Sequence, residues 1–185
     1  MAGRRDRFGG STAAVERGVT LLELLVVVTI VAILATLASP SFGSLRRTAG
    51  VGTAATELLA ALHFARSAAA LDGRPVTLCL SADGQACVAS SSDPANGWLV
   101  FAQPGAGVVS ASTSVVPPIL RQFHVTDGVV VRGSRAAVTF WPAARMSLTS
   151  TFDLCDARRE VAGRAVVVSQ TGRPRVAVEE ASCGP

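Results

Sequence analysis

The chain has 185 residues, of which 49% are hydrophobic and 16% charged, with a formal net charge of +4. The length suits one domain, or one domain with an appendage, and the composition excludes a disordered chain. A charge this small does not indicate nucleic-acid binding by itself, and because every basic side chain is Arg, the use of Arg rather than Lys carries little information.

The first 18 residues are polar and contain Arg4, Arg5, Arg7 and Arg17 against Asp6 and Glu16, so this stretch carries half of the net charge. Residues 19–38 then form a run in which only Thr20, Glu23, Thr29 and Thr36 are not apolar. At about 1.5 Å rise per residue such a helix spans about 30 Å, the thickness of a bilayer core. Cationic flanks stay cytoplasmic, which places the remainder of the chain outside the inner membrane. A cleaved secretory signal has a shorter apolar core of about 7–15 residues. A plain membrane anchor fits Glu23 poorly, because an ionised carboxylate at the bilayer centre costs about 2.5–3.5 kcal/mol.

Gly18-Val19-Thr20-Leu21-Leu22-Glu23 followed by an apolar helix resembles the cleavage and methylation signal of type IV prepilins. The resemblance implies that a prepilin peptidase cuts between Gly18 and Val19 and that the new amine of Val19 is methylated. It also implies that Glu23 is retained as an assembly determinant. Val19 stands where the family usually has Phe or Met, and Pro40 stands where it carries a helix-bending Pro. The physical logic is that a buried charge is tolerated when it is paired: the freed amine of one subunit neutralises Glu23 of its neighbour.

Residues 19–71 read as one long helix that Pro40 bends without ending. Beyond Pro40, Leu45, Leu58, Leu59, Leu62, Ala65 and Ala69 form a stripe expected to lie on the folded body, with Arg46, Arg47, Glu57 and Arg66 on the other faces. Asp72-Gly73 supplies the stop. Strand runs follow at 75–80, 97–101, 119–125, 129–132, 137–141, 148–154, 165–169 and 173–178, with turn signals at Asp83-Gly84, Asn96-Gly97 and Asp127-Gly128. Residues 103–118, rich in Gly, Ser and Pro, read as a mobile loop.

The four cysteines, Cys79, Cys87, Cys155 and Cys183, allow three connectivities. In an oxidising compartment disulfides are expected. A bridge across the Asp83-Gly84 turn suits Cys79 and Cys87, which leaves Cys155 and Cys183 to tie down the tail. Zinc is the rival, but there is no CxxC spacing and neither His63 nor His124 is near a Cys in sequence. No metal or cofactor is expected. Walker, GxSxG and HExxH motifs are absent, the two histidines read as ordinary packed or half-exposed residues, and Trp98 and Trp141, in apolar strand runs, read as core residues. The sequence offers no catalytic residues, and an enzyme is not expected.

The body extends the resemblance. Val76-Thr77-Leu78-Cys79, Gly97-Trp98-Leu99-Val100-Phe101, Phe152-Asp153-Leu154-Cys155-Asp156 and the stretch from Val166 to Val176 are similar to the GspH/FimT family of minor pilins and pseudopilins. That implies an α+β, type IV pilin-like fold, with a long N-terminal helix packed on antiparallel sheets. Four parts are expected: a leader (1–18), a membrane-spanning assembly half-helix (19–38), an amphipathic second half (39–71) and a periplasmic β-rich domain (72–185). The implied role is a minor subunit of a type IV pilus or of a type II secretion pseudopilus. Its expected partners are other pilins, the prepilin peptidase and the inner membrane.

Gly172-Arg173-Pro174-Arg175 further resembles the C-terminal GRxR element of the FimT branch, which is associated with DNA binding during natural transformation. Residues two apart on a strand share a face, so Arg173 and Arg175 would project together, about 6.6 Å apart, where guanidinium groups can pair with phosphate. Arg158, Arg159 and Arg164 precede them and are expected to extend the patch. Glu179 and Glu180 oppose it, and without Tyr or a nearby Trp base stacking is not expected, so binding would be sequence-independent and salt-sensitive. The alternative is a secretion pseudopilin without DNA contact.

Overall fold

The computed structural model describes residues 18–103, 119–142 and 148–184, with the side chains of 36–41 and 178–180 outside the description. Most of the loop expected at 103–118, and the leader up to residue 17, therefore lie outside the described residues. The chain divides into two compact units, Met1–Pro40 and Ser41–Pro185. Helix α1, Leu21–Asp72, contributes to both.

In the first unit α1 starts directly after Thr20. The Thr20 hydroxyl accepts the Glu23 backbone N–H at 3.2 Å and its carbonyl accepts that of Leu24 at 3.1 Å, making Thr20 the N-cap. Apolar side chains from Leu21 to Leu34 are exposed. Among the described residues no helix is long and apolar enough to cross a membrane; the apolar run of 19–38 extends past the last of these described side chains, at 35.

The second unit is built on the remainder of α1. Its buried residues Val51, Ala54, Ala55, Leu58, Ala61, Leu62, Ala65 and Ala69 recur every three or four positions and form one stripe. Two four-stranded antiparallel sheets complete the unit. The first, in the order β3-β2-β1-β5, uses Ile119–His124, Gly97–Ala102, Val76–Ser81 and Ala137–Phe140. The second, in the order β4-β6-β7-β8, uses Val129–Gly133, Ser150–Asp156, Arg164–Val168 and Pro174–Glu180. All eight expected strands are present, with boundaries moved by up to two residues.

One apolar cluster joins the helix stripe to the inner face of both sheets, including Leu78, Trp98, Val100, Phe140, Phe152, Leu154 and Val166. The outer face of the first sheet is buried as well. Cys79, Leu99 and Phe101 cluster there with Cys87, because the segment after β1 folds back and donates the Val88 N–H to the Leu80 carbonyl. The polar groups of that face are satisfied: Gln103 donates to the Thr77 hydroxyl at 2.7 Å, which pairs with Thr139 at 2.8 Å. Gly84, at φ 75°, lets its turn press on β3, where a Cβ would overlap Gln122 and His124.

Three expectations about packing change. Leu45 is exposed, because it sits about 140° round the helix from Leu58, well off the stripe. Arg47 lies near the stripe instead and reaches Glu160 at 2.6 Å, so it is not a free outward charge. Trp98 is fully buried and stacks on Phe123, whereas Trp141 falls just beyond β5 and is half-buried.

Candidate functional site

Two regions carry the residues singled out by sequence. In the first unit, Gly18 and Val19 are exposed and precede the helix, while Glu23 lies in its first turn. A carboxylate there is favoured by the helix dipole, and Thr20 with Glu23 three residues on has the spacing of a capping box. The Glu23 side chain is exposed and has no hydrogen-bond or ion-pair partner among the described residues.

The second region is the outer face of the sheet β4-β6-β7-β8. Gly172, at φ 69°, turns the chain into the edge strand β8, and Arg173 is held at the turn by its N–H on the Ser169 hydroxyl and its carbonyl on the Ser169 N–H. Pro174 opens the strand and is buried, while Arg173 and Arg175 are exposed on either side of it. This is the period-two alternation of a strand, and it aims both guanidinium groups outward. A missing N–H costs nothing in the first residue of an edge strand. Among the described residues neither Arg joins an ion pair.

The other arginines do not join this pair. Arg164 begins β7, facing Leu154 on one side and Glu180 on the other, three residues from the rung that holds Arg175. It thus sits about 10 Å further along the strand, with the parity of the inner face. Arg158 and Arg159 lie in the turn after β6, beyond the same end. The single patch expected of these residues is split into an arginine pair at one end of the sheet and a separate group at the other.

The C-terminal tail crosses the same outer face. Cys183 is bonded to Cys155, and Cys79 to Cys87. Arg132 donates to the Gly184 carbonyl at 3.1 Å, and the Ser182 N–H bonds the Asp153 carboxylate. Burial pushes the Asp153 pKa up, against the lowering effect of that N–H. Gly163 makes room for the tail: a Cβ there would overlap the Cys183 sulfur and the Ala181 side chain. Between tail and sheet lies a cleft of about 450 Å³, lined by Ser91, Ser92, Arg132, Ser134, Thr151 and Asp153 and bounded by Ser182 and Gly184. Sequence reading missed this group. Polar residues alternating with apolar ones in β6 mark Thr151 and Asp153 as outward, but nothing in the sequence says that β4 and β6 are neighbours. Among the described residues there is no cluster of metal-binding side chains.

Residues 54–172 match the family described as Type II transport protein GspH, and residues 14–39 match the prokaryotic N-terminal methylation motif. No match is found among curated proteins. The fold is similar to two crystal structures of the Pseudomonas aeruginosa type IV minor pilin FimU. One has a TM-score of 0.50 at 22% identity, covering 71% of this chain and 97% of that one. The other has a TM-score of 0.52 at 21% identity, covering 71% and 92%. The minor pseudopilin EpsH from the type 2 secretion system of Vibrio cholerae also aligns, at 10% identity and a TM-score of 0.48 over 69% of this chain and 95% of that one. With a methylation motif that runs into a long helix, a pilin-like α+β body and a family match over more than half its length, the chain belongs to the GspH family of minor pilins and pseudopilins.

Proposed function

We propose that this protein is a prepilin, cut between Gly18 and Val19, N-methylated at Val19, anchored in the bacterial inner membrane by residues 19–38 and assembled as a minor subunit of a type IV pilus, with its body contacting DNA through Arg173 and Arg175. Other pilins of the filament and the prepilin peptidase are its protein partners, and the body faces the periplasm before assembly. The observation that carries DNA contact is the pair of exposed arginines on either side of Pro174, one at the turn and one on the edge strand β8, without ion-pair partners among the described residues. Phosphate contacts made by Arg are independent of sequence and weaken with salt.

The alternative is a secretion pseudopilin that makes the same filament contacts and no DNA contact; it is favoured by the family match to Type II transport protein GspH. Retention of single-stranded DNA by the purified protein separates the two. We expect retention at low salt that is lost on raising the salt and lost in the Arg173→Ala/Arg175→Ala double variant. No retention by the wild type at low salt rejects DNA contact and leaves a purely structural role in the filament.

A further inference from the structure

The arginine pair and the tail cleft share one surface. Thr151 pairs with Val167, and Val167 with Arg175, so the three lie on one rung and point to the same side of the sheet. At about 4.8 Å between strands, Arg175 is about 10 Å from Thr151, with only the half-buried Val167 between them. Two residues along β6, on the same face, Asp153 is opposite Arg132 of β4.

The chemistry of the cleft suits a phosphodiester. Hydroxyls at Ser91, Ser92, Ser134 and Thr151 can donate to phosphate oxygens, and Arg132 supplies a cation beside them. Its volume of about 450 Å³ lies within the usual range for small-ligand sites. Among the described residues there is no aromatic side chain in its lining, which argues against a stacked base or a sugar ring as the main contact. The Cys155–Cys183 bond and the Arg132–Gly184 hydrogen bond hold the tail as one wall, so the cleft is preformed. Asp153 is the single acid among the described residues of the lining, and its charge opposes an anion there.

We propose that this cleft is a second backbone-binding position, which takes a phosphodiester of the same single DNA strand that Arg173 and Arg175 hold. The inference rests on the DNA-contact reading above. It adds Arg132 and the neighbouring hydroxyls as contacts and casts Asp153 as a group that limits affinity.

The test uses the full chain in neutral detergent with a labelled single-stranded oligothymidylate, titrated across salt concentrations. Non-reducing electrophoresis and thermal denaturation verify that each variant keeps its disulfides and fold. Arg132→Gln should weaken binding and lower the slope of log affinity against log salt by about 0.7, the value of one phosphate contact on a single strand. Asp153→Asn should tighten binding by about threefold, a gain that a damaged fold cannot produce. If Arg173→Ala/Arg175→Ala abolishes binding while Arg132→Gln and Asp153→Asn match the wild type, the cleft is not a contact and the proposal falls, with the arginine pair intact. If the wild type does not bind at low salt, the underlying reading falls and the cleft with it. Displacement of the bound strand from the wild type by neutral dextran would also overturn the proposal, in favour of a saccharide site.

Discussion

Asp153 and Asp83 show how a side chain's surroundings reverse its contribution to stability. At Asp83 the backbone N–H groups of Ala86 and Gln85 hold the pKa below the usual carboxylate range. Its contribution is present when it is ionised and is lost as pH falls through that depressed value. Asp153 behaves in the opposite sense. Burial raises its pKa in the fold, so the penalty for its charge is fully present at neutral pH and is relieved as pH falls through the raised value. Asp153→Asn retains an oxygen to accept the Ser182 N–H and removes the charge. We expect a higher Tm than wild type at neutral pH, with the difference closing in acid; thermal denaturation across pH checks this, and a lower Tm at neutral pH contradicts it. At this scale the cysteine pairing was legible, because a bridge between Cys79 and Cys87 is local. The Ser182–Asp153 and Arg132–Gly184 bonds were not, since they join residues that only the folded sheet brings together.

Helix α1 makes the same distinction between a local pattern and its context. Leu62 is fully buried on the stripe, while Leu45 is exposed about 140° round the helix from Leu58. In the unassembled protein, Leu62→Ala should cost about 2–5 kcal/mol and Leu45→Ala no more than about 0.5 kcal/mol, as measured by denaturant midpoints at unchanged slope. Equal losses would refute the assignment of the stripe. Helical spacing from Leu58 onward was readable because every third or fourth position is apolar, whereas Val51, Ala54 and Ala55 join the stripe only in the folded chain. Leu45 misled because one apolar residue fits several phases until the core fixes one of them. Strand positions were legible from β-branched runs bounded by turns, but the order of strands was not. Nothing local to β4 and β6 announces that they pair, whereas the separation of Arg164 from Arg173 comes from position along one hairpin: Arg164 starts β7, at the end away from the turn that holds Arg173.

For the molecule as a whole, the averages conceal two materials. The hydrophobic excess belongs to the run at 19–38, and half of the +4 belongs to residues 1–18, so removal of the leader leaves side chains summing to +2. Electrostatic function must then come from local arrangement, as at Arg173 and Arg175. Glu23 is exposed and has no ion-pair partner among the described residues of the single chain. Glu23→Ala should still be cut after Gly18 but should not enter filaments; immunoblots for processing and sheared-filament fractions check this, and normal incorporation contradicts it. The Cys155–Cys183 bond has a mechanical consequence. An edge strand under tension unzips from its sheet one hydrogen bond at a time, and β8 is such a strand. Its far end continues into a tail that is covalently fastened to β6, two strands inward. A pull applied at the start of β8 can therefore peel it from β7 only as far as that fastening, where the load passes to the interior of the sheet.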